Sequence, residues 1–345
     1  MSEPTRPESA DAPRRVGIVV IGRNEGERLH RCIASLDDHC DRIIYVDSDS
    51  EDDSVPWALE RVASVVELDP QPGLSAARAR NAGAERLTEL FPTIEYVQFV
   101  DGDCEVDADW IDEAVAFLDG HPKAAVVCGR RREISPEATL YNRLADIEWD
   151  TPVGRAASCG GDALMRLAVF NEAGGYNPDQ IAGEEPELCI RLGMAGHEIY
   201  RINAEMTRHD ANLTRFSQWW TRNVRSGHAS LELLFRHGRD AGPNRARRIR
   251  SIVVWSLGPL VLALFFWAVI GRFAGLLPLG LYGLAALKAS RGELARGRMR
   301  SHAFLYGAAC TVGKFPELQG CLRYLRNRLV GRERNALIEY KGAGE

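Results

Sequence analysis

The chain is poor in the features that mark several familiar protein classes. Its eight cysteines include no Cys-x-x-Cys pair and no metal-ligand spacing, and several, such as Cys128 and Cys189, lie inside apolar runs. That usage excludes a disulfide framework and a structural zinc site, and it fits reduced packing thiols in a cytosolic domain. No Gly-x-Gly-x-x-Gly follows the first apolar run, where Ile21-Gly22-Arg23-Asn24-Glu25-Gly26 stands instead, so a dinucleotide cofactor is disfavoured. Outside the termini there is no internal repeat and no low-complexity tract. Residues 1–14 are polar, carry proline and lack an apolar core; a disordered lead-in is expected there rather than a signal peptide or an anchor. Positive charge is scarce over residues 1–210, which are about 20 charges to the acidic side, and this argues against nucleic acid as a partner.

The remaining third is different in kind. Residues 211–345 carry about 22 Lys and Arg against about 7 Asp and Glu, so the net charge of -5 hides a basic second part. Ile252 to Ile270 is an uncharged run of about 19 residues, long enough to cross a bilayer and able to tolerate Pro259. Phe273 to Leu287 is a run of about 15 residues that holds Pro278; a second span and a re-entrant or buried helix are both open for it. Arg245, Arg247, Arg248 and Arg250 precede the pair, Lys288, Arg291, Arg296, Arg298 and Arg300 follow it, and only Arg272 lies between. The positive-inside rule puts both flanks on the cytoplasmic side of the cytoplasmic membrane, the alternative being a soluble hydrophobic hairpin. Leu318, Leu322, Leu325 and Leu329 then recur at helical spacing among Arg323, Arg326 and Arg328, as in an interfacial amphipathic helix or a helix packed on the preceding domain.

Before residue 210 the pattern alternates. Val16–Ile21, Ile43–Val46, Val65–Leu68, Val97–Val100 and Ala124–Val127 are short, β-branched-rich apolar runs and predict buried strands. Helical periodicity over Glu27–Leu36, Leu74–Leu90 and Trp110–Leu118 falls between them, which predicts an α/β domain with a mostly parallel central sheet. The expected order is a lead-in (1–14), an α/β domain (15–235), a basic juxtamembrane segment (236–251), a membrane hairpin (252–287) and a basic tail with an amphipathic helix (288–345).

Chemistry gathers at the strand ends. Asp101-Gly102-Asp103 closes the apolar run Tyr96–Val100 and places two carboxylates beyond the carboxyl end of a buried strand, where open α/β sheets bind ligands. A hard divalent cation that carries phosphates prefers one or two carboxylates plus substrate oxygens, so the pair points to a nucleoside-diphosphate enzyme; a plain turn is the alternative. Val46-Asp47-Ser48-Asp49-Ser50 ends the second strand, and an ionised Asp there can accept the imide N–H of uracil or simply form a solvated acidic turn. Gly73-Leu74-Ser75-Ala76-Ala77-Arg78-Ala79-Arg80-Asn81 opens a helix, where an arginine can grip a diphosphate or lie on a solvated face.

Gly22-Arg23-Asn24-Glu25, Val46-Asp47-Ser48-Asp49-Ser50, Ala79-Arg80-Asn81 and Asp101-Gly102-Asp103, in this order and spacing, resemble a family 2 glycosyltransferase with the GT-A fold. The similarity covers about residues 15–225. It implies that Asn24, Glu25, Asp47 and Asp49 lie around the nucleoside, that Arg80 holds donor or diphosphate, and that Asp101 and Asp103 hold ribose and an Mn²⁺ or Mg²⁺ ion, Asp103 as the direct ligand. It further implies that the small-residue loop Gly160-Gly161-Asp162 approaches the donor sugar. The acidic pair Glu184-Glu185 would then supply the general base, with Glu185 favoured although the family's usual second residue is Asp. His209, in Thr207-Arg208-His209-Asp210, resembles a late histidine that completes the metal or diphosphate site; a structural histidine is the alternative, and neutral imidazole would suit Mn²⁺ better than Mg²⁺. Gln218-Trp219-Trp220-Thr221-Arg222 is similar to the Gln-x-x-Arg-Trp signature of polysaccharide synthases, with the arginine one place late and no tryptophan after it. Trp219, Trp220 and Arg222 are therefore the acceptor-side candidates, stacking on sugar rings or packing at a membrane face.

The resemblance implies an inverting transfer of a sugar from a nucleoside-diphosphate sugar, expected to be UDP-linked, to a hydroxyl of a membrane lipid or lipid-linked glycan acceptor in surface glycan synthesis. Two other classes stay open. A nucleotidyltransferase making sugar nucleotides would normally show a glycine-rich basic loop after the first strand, and this one has a single basic residue and a carboxylate. A non-catalytic nucleotide-binding membrane scaffold would account for the Glu185 departure.

Overall fold

The computed structural model describes residues 15–330 apart from Pro72 and Ile181; the lead-in expected over 1–14 and the end of the tail, 331–345, lie outside the described residues. The first elements are β1 (Val16–Gly22), α1 (Glu27–Ala34), β2 (Ile43–Asp47), α2 (Ser54–Leu59), β3 (Ser64–Glu67), α3 (Ala76–Leu90), β4 (Tyr96–Asp101) and β5 (Cys104–Val106). They continue through α4 (Trp110–Gly120), β6 (Ala124–Glu133), α5 (Leu140–Trp149), β7 (Gly154–Arg155), β8 (Ala163–Arg166), α6 (Leu167–Glu172), α7 (Glu184–Met194) and β9 (Glu198–His209). Five helices follow: α8 (Phe216–His237), α9 (Pro243–Val269), α10 (Gly280–Ala295), α11 (Arg300–Val312) and α12 (Lys314–Val330). The chain forms two compact units, one of the residues up to Arg132 with Thr151–Pro178 and Glu184–Asp210, the other of Glu133–Asp150, Asp179–Gly183 and the residues from Ala211 on.

The first unit is built on one sheet of order β3-β2-β1-β4-β8-β6-β9-β5, with β7 beside β9. The runs with apolar residues on both faces, β1, β2 and β4, are buried along nearly their whole length and pair in parallel, with β3 on the outer edge. Beyond β4 the sheet turns antiparallel: β8 pairs with β4 and β6, and β9 with β5. This is the GT-A fold, its expected parallel part carried by the first four strands. Helix α3 starts at Ser75, whose side chain accepts the Arg78 N–H at 3.2 Å, and its buried face of Ala77, Ala79, Ala84 and Leu87 lets it lie close to the sheet. In the sheet Gly22 stands opposite Asp47 and Ile21 opposite Asp101, so the loops leaving β1, β2 and β4 emerge side by side. That register assembles the site.

The second unit is helical. Helices α8 and α12 cross at backbone contact: a Cβ on Gly227 would lie 2.0 Å from the Glu317 carbonyl oxygen, and one on Gly320 would lie 2.0 Å from the Val224 carbonyl oxygen. Leu318 and Leu325 of α12 pack with Leu231, Ile252 and Cys321, whereas Leu322 and Leu329 are exposed. The first long apolar run lies within α9, and Asn244–Val269 is, among the described residues, the one helix long and apolar enough to cross a membrane by length and composition. Its Val261, Leu264, Phe265 and Trp267 are exposed, a belt that soluble surfaces avoid. The second run lies in a short 3₁₀ segment, Ala274–Leu279, which holds Pro278, and in the first turns of α10. Trp219 is buried against Tyr141 and Phe216, Trp220 is half-buried with its Nε1–H donated to Gln319 Oε1 at 2.7 Å, and Arg222 pairs with Glu148 at 2.5 Å.

Candidate active site

Arg80 is the centre of the constellation in the first unit. It is only 2% exposed, donates from Nη2 to Asp101 Oδ1 at 2.7 Å and from Nη1 to Glu184 Oε1 at 3.1 Å, and lies over the Tyr176 ring. Burial works against its charge, but Asp101 and Tyr176, then Glu185 and Glu184, outweigh that and hold the guanidinium well above its ordinary pKa. The neighbouring Asn81 clamps Tyr176 at both ends, accepting its N–H at 2.8 Å and donating to its carbonyl at 2.7 Å. One helix turn therefore ties the β4 end, the start of α7 and the segment at Tyr176 together.

On the other side of Asp101, Arg131 reaches Asp101 Oδ2 at 3.3 Å and Asp162 Oδ2 at 3.4 Å. Asp162, fully buried, also accepts the Asp101 N–H at 3.2 Å and the Thr207 hydroxyl at 2.8 Å. Gly161 fills the space left: a Cβ there would lie 2.8 Å from Arg80 Nη2 and 3.0 Å from Asp101 Oδ2, so the backbone can come this close only without a side chain. Gly160, exposed at φ +86°, turns the loop outward. Asp103 is 4% exposed and meets His209 Nε2 at 3.1 Å through Oδ2, the strand end of β9 bringing the two together across β5.

Asp103, Cys104 and His209 offer a carboxylate oxygen, a sulfur and an imidazole nitrogen within 4.8 Å of one another, all buried, and Asp101, Cys104 and Asp162 form a second such set. Oxygen, nitrogen and sulfur donors at this spacing fit a divalent first-row metal.

Glu185 stands in the first turn of α7, half-buried. Burial first, then the neighbouring Glu184 charge, push its carboxyl up to about 7, against a smaller pull from Arg80. The nucleoside-side residues form a separate cluster at the ends of β1 and β2. Asp47, 2% exposed, accepts the Tyr45 hydroxyl at 2.8 Å and the Ser50 hydroxyl at 2.6 Å on Oδ1, and the Ser50 N–H at 2.8 Å on Oδ2. Asn24, at φ +54°, accepts the Glu51 N–H at 2.7 Å, Glu25 pairs with Arg28 at 2.9 Å, and Asp49 is exposed at φ +67°. The structure thus joins Arg80, Asp101, Asp103, Asp162, Gly161, Glu184 and His209 in the first unit; Trp219, Trp220 and Arg222 belong to the second. Arg131, Tyr176, Thr207 and Cys104 were not expected at the site. For Arg131 a signal existed, the run Gly129-Arg130-Arg131-Arg132 at the end of an apolar strand.

The sheet and these strand-end acids define a GT-A-like domain. Residues 17–161 match the family model described as glycosyl transferase family 2. It is similar to the pre-mycofactocin glycosyltransferase of Mycobacterium tuberculosis, at 25% identity over 69% of this chain and 51% of that protein. It is also similar to glucomannan 4-beta-mannosyltransferase 7 of Arabidopsis thaliana, at 26% identity over 43% of this chain and 28% of that one. The chain therefore spans about half the length, or less, of these relatives. Among solved structures, the mannosyltransferase PcManGT from Pyrobaculum calidifontis, in complex with GDP-Man and Mn²⁺, shares the fold with a TM-score of 0.58 at 18% identity, over 91% of this chain and 88% of that one.

Proposed function

We propose that the protein is a membrane-associated inverting glycosyltransferase that moves a sugar from a nucleoside-diphosphate sugar to a hydroxyl of a lipid or lipid-linked glycan acceptor during surface glycan synthesis. The observation that carries this is the linkage Glu184–Arg80–Asp101–Arg131–Asp162, which holds the residue next to the candidate base, the donor loop and the strand-end acids as one charged unit. Glu185 takes the proton of the acceptor hydroxyl: a carboxyl that titrates near 7 is matched to proton removal at neutral pH. A single displacement at the anomeric carbon then inverts it. A bound Mn²⁺ or Mg²⁺, held by Asp103 with Asp101 and His209, would supply positive charge to the leaving diphosphate. Gly160 leaves open space for the donor sugar, Gly161 lets the loop close on Arg80 and Asp101, and Arg80 fixes the acids around it.

The UDP-linked donor is supported by Asp47. An ionised carboxylate has about four acceptor positions, and three are taken by Tyr45 and Ser50. One is left, which matches the single imide N–H of uracil and falls short of guanine's paired donors. Because a glucomannan mannosyltransferase and a GDP-Man complex are among the similar proteins, GDP-mannose is the competitor to test. The exposed apolar face of α9, flanked by arginines, supports anchoring in the cytoplasmic membrane with the catalytic domain in the cytoplasm. Domain limits near 15–235 and 252–287 go with this topology, and Trp220 and Arg222 remain its acceptor-side candidates, Trp219 being given over to packing.

The deciding experiment is thermal unfolding of the detergent-purified chain with UDP, GDP and nucleoside triphosphates, each with and without Mn²⁺. UDP should stabilise most, only with metal, and not in Asp103→Ala. Stabilisation by triphosphates alone would favour nucleotidyl transfer, and stabilisation by GDP above UDP would overturn the donor assignment.

A further inference from the structure

Cys104 follows Asp103 and stands opposite His209 in the antiparallel β5–β9 pair, so its side chain leaves the same face of the sheet as the histidine. Its Sγ lies 3.7 Å from Asp103 Oδ1 and 3.5 Å from Asp162 Oδ2. Such separations are those between adjacent ligands on one small cation, whose bonds to nitrogen, oxygen and sulfur are about 2.0–2.3 Å. Two donor sets share Cys104, one with Asp103 and His209 and one with Asp101 and Asp162, and Arg131 stands 3.3 Å from Asp101, 3.4 Å from Asp162 and 3.6 Å from the shared sulfur. The Asp103–His209 set is the one proposed above to hold a cation, and the Cys104 sulfur lies within 4.8 Å of both of its donor atoms.

We infer that Cys104 is a protein ligand of the cation held by Asp103 and His209, which gives the site a sulfur donor and a preference for softer ions such as Co²⁺ and Zn²⁺ over Mn²⁺ and Mg²⁺. This rests on the metal role proposed above for Asp103 and His209. Oxygen donors alone suit Mg²⁺ and Mn²⁺, imidazole moves a site toward zinc, and thiolate moves it further. Binding forms the metal–sulfur bond as the S–H bond breaks, and the proton leaves to solvent. Three protein ligands leave a position open for a substrate oxygen, as in catalytic zinc sites.

Co²⁺ titration of the metal-stripped full chain in detergent tests this by absorbance. Sulfur ligation gives an intense near-ultraviolet thiolate-to-cobalt charge-transfer band beside the weaker visible d–d bands. Wild type should show both; Cys104→Ser should keep the d–d bands, lose the charge-transfer band, bind Co²⁺ and Zn²⁺ roughly 10-fold or more weaker, and bind Mn²⁺ within about 3-fold of wild type. Should the variant not fold, zinc-edge X-ray absorption of the wild type gives the same answer through a sulfur neighbour at about 2.3 Å. Visible bands without the charge-transfer band, a zinc shell of nitrogen and oxygen only, or a charge-transfer band that survives in Cys104→Ser overturns the inference and leaves the Asp103–His209 site standing. No Co²⁺ binding at all overturns the metal role beneath it.

Discussion

Glu185 is where the chemistry can be read by pH. Its carboxyl, pushed up to about 7 by burial and by Glu184, is largely protonated in mildly acidic solution and ionised above neutrality. If it is the base proposed above, kcat/KM should rise with pH through about 7 and level off above. Glu185→Gln should remove that rise and lower kcat by about 10²-fold or more. Stability runs the other way. The folded-state pKa lies above the unfolded one, so the protonated form favours folding; this contribution is complete below about pH 4 and is lost as pH rises through 7. Glu185→Gln, which cannot ionise, should therefore unfold at the same temperature as wild type near pH 4 and at a higher one near pH 8. A pH–rate profile and thermal unfolding at the two pH values check both; an active Gln variant, or a profile without the acidic limb, sinks the base assignment. Such residues are legible in the sequence where position alone carries the meaning: Asp101 and Asp103 at a strand end, Arg80 at a helix start. Arg131 was hidden because its worth comes from Asp101, 30 positions away, and Tyr176 because it comes from Asn81, 95 positions away.

At the level of elements, the strands with two apolar faces announce themselves, and their ends fix the site. β6 is longer than its apolar stretch: Ala124–Val127 is readable, but the strand runs on to Glu133 through three arginines, one of which serves the site. Charged residues on a strand conceal it when their partners lie on other elements. Small residues conceal packing in the same way. Gly320 looks unremarkable between Leu318 and Leu322, yet it is the point at which α12 meets the α8 backbone, and no side chain fits there without parting the helices. Gly320→Ala should destabilise the helical unit by about 1–3 kcal/mol, as overpacking does. The neighbouring exposed position, Leu322→Ala, should cost far less because its side chain is 57% exposed. Urea unfolding of both variants separates the cases, and equal midpoints would mean that the helices are not in backbone contact.

For the whole molecule, the division of charge and apolar surface carries a prediction about location. The acidic sequence up to residue 210 and the basic one after it are joined to a helix whose outward residues are Val261, Leu264, Phe265 and Trp267, with Val269 and Ile270 continuing the face. Electrostatic attraction of the arginines to anionic lipid is screened by salt within a Debye length. Burial of the 18-residue apolar stretch of that helix, of mean hydropathy 2.3, is not. The two contributions can therefore be told apart by extraction. If α9 is inserted, the chain stays with the membrane fraction in high salt and at alkaline pH and is released by detergent. Leu264→Arg with Phe265→Arg, each costing about 2.5–3.5 kcal/mol near a helix centre, should move it to the soluble fraction or into aggregates. If basic attraction alone holds it, high salt releases the wild type and the double substitution changes little. Release by salt would also remove the argument for a lipid-linked acceptor, because an enzyme free to leave the bilayer gains nothing from an acceptor confined to it.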